Sequence, residues 1–307
     1  MNNSAWLFPL SAWLLAPLIP GIINRVKAIV AGRKGAPILQ LYFDLYKLVQ
    51  KGSVYSLTTS MIIRLTPPLI LACLVIGTMI LPWGGMPAPI AFPGDFILLV
   101  YLLGLARFAT VLAALDTGSA FEGMGASREV QFAAVAEPSL LLGFLVLILH
   151  TGSLGLSGIA SGINVSDWQT SAPVLIMVSL AWFFILLTEN SRIPVDDPNT
   201  HLELTMIHEV MVLDYSGPDF AFIQYASALK LWIFGGLLVN LVVPLRFESL
   251  GLQSAVFLLG MFVISLLVGI TESVMGRLRL LNIPKVLVGS AALSLIALLV
   301  KLVGYYQ

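Results

Sequence analysis

The chain has 307 residues, of which 58% are hydrophobic and 10% charged, and its mean hydropathy is +0.97. Soluble domains carry about a quarter charged residues, so this composition excludes an ordinary soluble protein and is typical of one embedded in a membrane. The formal net charge is zero, which argues against a nucleic-acid partner. Cys73 is the only cysteine, so the chain alone can form neither an internal disulfide nor a four-cysteine iron–sulfur or nickel–iron site.

Runs of about 20 apolar residues, the length that crosses a bilayer, recur along the sequence. They predict an all-α integral membrane protein with about eight transmembrane helices in one multispanning domain, residues 1–307. The first run lacks a preceding cationic segment and contains prolines, so we interpret it as an uncleaved first helix rather than a signal peptide. The predicted spans are 5–23, 61–82, 95–115, 131–150, 172–189, 223–245, 254–272 and 285–304.

Most lysines and arginines lie in alternate loops, near 24–60, 116–130, 190–222 and 273–284. By the positive-inside rule these loops are cytoplasmic and both termini are outside. The cations that set this orientation are Arg25, Lys27, Arg33, Lys34, Lys47, Lys51, Arg64, Arg128, Arg192, Arg277, Arg279 and Lys285. A soluble partner is therefore expected to dock on the cytoplasmic side.

The first cytoplasmic loop has the pattern of an amphipathic helix lying in the membrane interface. Pro37 suits a first helical turn, and apolar residues recur at helical spacing from Ile38 to Val49. Two interpretations stay open: headgroup anchoring alone, or an additional docking surface for a soluble subunit.

Ionisable residues within predicted spans or at their ends include Arg107, Glu137, Lys230 and Glu272. Such groups are costly at membrane depth and usually face a bundle interior or water. They can simply pair with one another and hold helices together. Several together favour a polar path of the kind that proton relays use.

The longest cytoplasmic loop begins at Glu189. Thr200 and Glu203 form a capping box, which predicts a helix over about 201–213. This helix would be largely apolar, so it must be buried in protein or against a partner.

Two histidines in that predicted helix, His201 and His208, raise the possibility of a metal site. Seven residues separate them by about 10 Å along a helix axis, too far to bind one ion together without bending. No metal site and no catalytic nucleophile is therefore expected in this chain.

Three stretches together resemble the first subunit of respiratory complex I. The first runs from Arg33 to Lys51, and the second is Gly125-Ala-Ser-Arg128 followed by Glu137. The third comprises Glu189-Asn-Ser-Arg-Ile-Pro-Val-Asp196, Glu203-Leu204 and Tyr215-Ser-Gly217. They occur in the same order and on the same predicted membrane side as in that family, and the resemblance covers roughly residues 24–280.

The long loop departs from the quinone-linked members of the family, because Asn199 and His201 stand where two glutamates would be. The stretch from Asp196 to Glu209 is similar instead to the branch found in membrane-bound nickel–iron hydrogenases of the formate hydrogenlyase type. The resemblance implies a subunit of an oxidoreductase complex without a redox centre of its own. The chain would sit in a bacterial or archaeal cytoplasmic (inner) membrane.

The resemblance also implies partners and functional residues. The partners would be a hydrogenase large subunit, a small iron–sulfur subunit, an antiporter-like membrane subunit and membrane lipid. The iron–sulfur clusters and the nickel–iron centre would lie on the partner subunits. The candidate proton or ion relay comprises Arg107, Glu137, Glu189, Asp196, Glu203 and Glu272, and the candidate docking residues are Arg33, Lys34, Gln40, Asp44, Lys47, Arg128, Arg192, Asp197, His201, His208 and Glu209.

Two other functions stay open at this point. One is a quinone-interacting membrane subunit of an NADH- or ferredoxin-linked complex I-like oxidoreductase. The other is an autonomous secondary transporter, which the lack of an obvious internal repeat disfavours.

Overall fold

A computed structural model of the chain describes residues 3–196, 206–247 and 249–305. These residues form helices and no strand. The α-helices are α1 (Leu7–Leu15), α2 (Leu18–Val30), α3 (Gln40–Val49), α4 (Met61–Ile80), α5 (Asp95–Asp116), α6 (Ala120–Thr151), α7 (Leu156–Gly162), α8 (Val165–Thr170), α9 (Ala172–Glu189), α10 (Gly217–Val242), α11 (Leu250–Val274) and α12 (Ile283–Tyr305). Short 3-10 turns cover Asn3–Trp6, Glu209–Val212 and Leu280–Asn282.

Seven of the described helices are long and apolar enough to cross a bilayer: α4, α5, α6, α9, α10, α11 and α12. The pair α1 and α2, bent by 44° at a short break, makes an eighth if the two helices form one span. The bend lies at Ala16 and Pro17, where the proline has no backbone N–H to donate to the preceding turn. The predicted all-α membrane fold with about eight spans is confirmed.

The start of α6 differs from the prediction. This helix begins at Ala120, so most of the predicted loop 116–130 is helical. Its first turns carry Glu122, Arg128 and Glu129, whose charges gave the segment the composition of a loop. Glu122 and Glu129 are nevertheless buried, because neighbouring elements cover this end of the helix.

The helix predicted over 201–213 is wrong in the part that the structure describes. Residues 206–208 are not helical, and residues 209–212 form a 3-10 turn. The reason is a side chain: Oδ2 of Asp196 accepts hydrogen bonds from the backbone N–H groups of Ile207 and His208, at 3.2 and 3.1 Å. A carboxylate thus replaces the helical carbonyl partners. The proposed cap at Thr200 and Glu203 lies outside the described residues.

The core is organised around α10. In the apolar stretch of α10, 78% of the residues are buried. In the corresponding stretch of α12 the share is 28%. Helices α3, α4, α9 and α11 pack against α10, and α12 packs against α6 and α9. This arrangement brings α5, α6, α9 and α10 together, which positions the charged residues described next.

Candidate functional site

Three carboxylates converge on Arg107 in α5. Its Nε lies 3.1 Å from Oε1 of Glu129 in α6, and its Nη2 lies 2.5 Å from Oε1 of Glu189 at the end of α9. Its Nη1 binds Oε1 of Glu137, which is also in α6. The second oxygen of Glu189 lies 2.8 Å from Nζ of Lys230 in α10. Four helices are therefore joined through one arginine and one lysine.

This cluster lies well inside the membrane domain. Lys230 stands about 20 Å from the start of α10 at Gly217, at 1.5 Å per helical residue. The side chains of Arg107, Glu129 and Glu189 are only 9%, 6% and 5% exposed. Charges buried to this degree persist only when they are paired, because an unpaired ion away from water is strongly disfavoured.

His208 extends the cluster out of the membrane-spanning helices. Its Nε2 lies 3.0 Å from Oε2 of Glu129, and its Nδ1 lies 3.4 Å from Oδ2 of Asp196. Oδ1 of Asp196 in turn lies 2.9 Å from Nη2 of Arg277, between α11 and α12. The ion pairs thus connect seven residues of strictly alternating sign. We call them the charge series: Lys230, Glu189, Arg107, Glu129, His208, Asp196 and Arg277.

Two members of the charge series outside the spanning helices, His208 and Asp196, have shifted pKa values. Burial alone would lower the pKa of His208, but the carboxylates of Glu129 and Asp196 outweigh it and raise that pKa to about 9. Burial likewise opposes the charge on Asp196, but the hydrogen bond and positive charge of His208 bring its pKa below the ordinary value. His208 is therefore an imidazolium at neutral pH, held between two carboxylates.

A second cluster surrounds Glu272 near the end of α11. Lys27 of α2 lies 2.8 Å from Oε2 of this carboxylate, and Arg192 lies 3.4 Å from Oε1. The side chain of Glu272 is fully buried. This cluster fastens α2 to α11 and to the loop after α9.

The relay candidates are distributed between the two clusters. Arg107, Glu137, Glu189 and Asp196 come together around the charge series, and Glu272 belongs to the second cluster. Glu203 lies outside the described residues. Glu137 departs from the expectation of a residue facing the interior, because its side chain is 41% exposed on the flank of α6.

Four members of the charge series were not among the relay candidates chosen from the sequence, and one of them, His208, was assigned to partner docking instead. Glu129 was assigned to a loop, although it lies eight residues before Glu137 on the same helix. Lys230 was noted within a span but had no assigned partner. Arg277 was treated as an orienting loop cation, and nothing in the sequence connects it with Asp196.

The docking candidates differ in accessibility. Arg33, Lys34 and Lys47 are exposed, and Nε2 of Gln40 donates to Oδ1 of Asp44 at 2.8 Å along α3. The candidates in or near the long loop have partners inside the chain. Arg128 donates to the carbonyl of Met206 at 2.8 Å, Arg192 is buried against Glu272, and Glu209 also has an internal partner. Asp197 and His201 lie outside the described residues.

Comparison with known proteins places this chain in a family. Hydrogenase-4 component C of Escherichia coli K12 is 34% identical over 276 residues, which cover 88% of this chain and 86% of that protein. Formate hydrogenlyase subunit 4 of the same organism is 31% identical over 307 residues, which cover 95% of this chain and 98% of that protein.

A solved structure shares the fold. It is a chain of the membrane-bound sulfane sulfur reductase, an archaeal respiratory membrane complex, with a TM-score of 0.82 and coverage of 97% of this chain and 98% of that chain. The two are 18% identical in sequence. The family model described as NADH dehydrogenase matches residues 4–302. The resemblance to complex I subunit 1 is thereby confirmed, and the chain belongs to the NADH dehydrogenase family.

Proposed function

We propose that this chain is a membrane subunit of a membrane-bound nickel–iron hydrogenase complex of the formate hydrogenlyase type. In that complex it anchors the soluble arm and carries protons along the charge series. The observation that carries the proposal is the unbroken run of ion pairs from Arg277 to the buried Lys230. Further support comes from the names of the two relatives that align along most of both chains.

The Arg107 cluster has the composition that a relay needs. Arg107 is shared by three carboxylates, so a small shift of the guanidinium leaves one of them free to accept a proton. A cleft of about 10 Å³ beside Arg107, Glu137 and Glu189 has room for roughly one water molecule. A water molecule in this cleft would let a proton pass between neighbouring carboxylates.

Glu137 marks the flank where another membrane subunit would pack. A carboxylate 41% exposed at membrane depth is costly against lipid. An adjoining antiporter-like subunit would cover it and receive the proton. The relay would then run from the cytoplasmic edge at Arg277 to the side of the protein at Glu137.

The segment from Arg33 to Lys47 is the proposed docking surface for the hydrogenase large subunit and the small iron–sulfur subunit. No described residue of α3 is buried, and its exposed hydrophobic residues include Phe43 and Tyr46. We expect the double variant Arg33→Glu with Lys34→Glu to release the soluble arm from detergent-purified complex. The control, Arg279→Glu with Lys285→Glu, makes the same charge change elsewhere on the predicted cytoplasmic face. An arm that stays bound to the first variant at high salt contradicts this docking surface.

The relay is tested in sealed vesicles that contain the assembled complex. We expect Glu189→Gln to lower the number of ions moved per hydrogen evolved by about tenfold or more, as removal of a positioned proton acceptor does. Asp167→Asn, on the opposite membrane side, should leave the ratio unchanged. An unchanged ratio in assembled Glu189→Gln complex would show that these ion pairs only hold helices together. Loss of activity with a quinone-site inhibitor would instead favour the quinone-linked alternative.

The redox centres are proposed to lie on the partner subunits alone. The isolated chain should contain fewer than about one iron, nickel or zinc atom per molecule, since it has a single cysteine and both nitrogens of His208 face carboxylates. Elemental analysis checks this. Stoichiometric metal that disappears with His208→Gln would overturn it.

A further inference from the structure

We propose that His208 is the residue through which protons pass between the cytoplasmic-edge pair Asp196–Arg277 and the buried Arg107 cluster. The inference deepens the proposed function and rests on it. The supporting geometry is the position of the imidazole ring between Asp196 and Glu129, which belong to two separate parts of the chain. Each ring nitrogen faces a different carboxylate, at 3.4 Å from Asp196 and 3.0 Å from Glu129.

The backbone around His208 is fixed on three sides. Asp196 accepts hydrogen bonds from the N–H groups of residues 207 and 208, and Arg128 donates to the carbonyl of Met206 at 2.8 Å. Gly125 of α6 allows the segment to approach, since a Cβ there would lie 2.3 Å from Val210 and 2.8 Å from the carbonyl oxygen of residue 207. The ring is thus held in position by groups outside its own segment.

Charged groups surround His208 from each element that packs against it. Helix α6 contributes Glu129, which contacts the ring, and Arg128, which binds the carbonyl of Met206. Helix α5 contributes Arg107, which pairs with Glu129. The loop after α9 contributes Asp196, and the connection between α11 and α12 contributes Arg277 through Asp196. Glu209 is the next residue in the chain. The two carboxylates in direct contact with the ring make both of its nitrogens points of proton exchange.

The transfer conserves protons and moves no electrons. The imidazolium donates its Nε2 proton to the Glu129 carboxylate, which becomes a neutral acid, and the ring becomes a neutral imidazole. The Nδ1 proton stays on the neutral ring, which turns about its Cβ–Cγ bond so that the bare Nε2 faces Asp196, and a proton arriving from the Asp196 side restores the imidazolium. Glu129 passes its proton on to the carboxylates around Arg107. A histidine can do this because it has two nitrogens that exchange protons near neutral pH.

The test uses the complete complex in sealed vesicles and measures ions moved per hydrogen evolved. We expect His208→Gln to lower the ratio by at least tenfold. In His208→Gly, added imidazole should restore a substantial part of it, and a complete lack of rescue in the assembled complex would count against proton passage through the ring. His150→Gln is the matched control, because His150 contacts Asp167 and Lys301 near the opposite end of α6 and lies outside the charge series. This control should keep the wild-type ratio.

A lysine variant separates proton passage from structural support. His208→Lys keeps a positive charge between the two carboxylates but has a single nitrogen. If the variant complex assembles but moves far fewer ions per hydrogen evolved, the proposal is supported. If it assembles and moves as many ions per hydrogen as the wild type, the proposal is overturned. If Glu189→Gln abolishes ion movement while His208→Gln does not, His208 is excluded and the proposed function stands. If neither variant changes the ratio, the proposed relay fails as well.

Discussion

Burial and the neighbouring carboxylates shift the pKa of His208 in opposite directions. Burial favours the neutral ring, yet two carboxylates keep it charged, and the balance raises its pKa from the ordinary 6.5 to about 9. The pKa of Asp196 moves the other way, below 3.8. Each group therefore adds stability to the docked segment 206–212 over a different pH range.

The stabilising contribution of His208 should disappear in alkali. Because its pKa is raised on folding, the contribution is complete below about pH 6.5 and is lost as the pH rises through about 9. That of Asp196 is lost only as the pH falls below about 3.8. Amide hydrogen exchange in residues 206–212, normalised to intrinsic rates, should therefore accelerate between pH 7 and pH 10. His208→Gln should remove the pH dependence, and a wild-type profile in that variant would contradict the assignment.

Removal of Arg107 should cost far more than removal of Glu137. Arg107→Leu leaves three carboxylates without their shared cation, and loss of one partner of a buried ion pair costs about 3–5 kcal/mol. Glu137→Gln affects a half-exposed side chain and leaves Arg107 with two other partners. Thermal unfolding of the detergent-solubilised protein should show a clear fall in Tm for the first variant and a small change for the second. Equal effects would mean that Arg107 is not the centre of the cluster.

At the scale of single elements, the apolar spans were predictable and the polar segments between them were less so. Each span is recognisable from a run of about 20 apolar residues, which is a local property of the sequence. The start of α6 and the conformation of residues 206–213 depend on tertiary contacts instead. Glu129 is tolerated in a helix because Arg107 and His208 bind it, and Asp196 displaces helical hydrogen bonds after residue 206. No local pattern contains those partners.

The contact between α6 and residues 206–212 should depend on Gly125. A methyl group there would lie 2.3 Å from Cγ1 of Val210, so Gly125→Ala should push the segment away from the helix. Overpacking of this kind costs about 1–3 kcal/mol. Gly123→Ala is the matched control, since a Cβ at that position of the same helix has no neighbour within 4 Å. Faster hydrogen exchange of residues 206–212 in the first variant alone is the expected result, and equal exchange in both would refute the steric role.

At the scale of the whole molecule, cations are concentrated at the ends of alternate spans. Arg33, Lys34, Lys47 and Lys51 are exposed around α3, and Arg279 is exposed before α12. The positive-inside rule assigns this face to the cytoplasm. We therefore expect the segment α7–α8 on the outer face, together with both ends of the chain.

This orientation can be tested by labelling with a membrane-impermeant maleimide. Cys73 is buried, which gives a low background. Cysteines introduced as Lys51→Cys and Arg279→Cys should react only in inverted vesicles, which expose the cytoplasmic face. Ser166→Cys and Gln169→Cys should react only from the outside in intact cells. The reverse pattern would invert the assignment of both termini.

The strict alternation of sign in the charge series also limits how such a protein can evolve. A neutral substitution at an inner member removes the counter-charge of its two neighbours, which both have the sign opposite to the lost residue. Single changes there should therefore be selected against. Loss of a neighbouring pair, such as Glu129 with His208, disturbs the electrostatics less than loss of either residue alone. Substitutions along the series are therefore expected to accumulate as compensated pairs across related proteins. The two ends, Lys230 and Arg277, have a single neighbour in the series and should vary most freely.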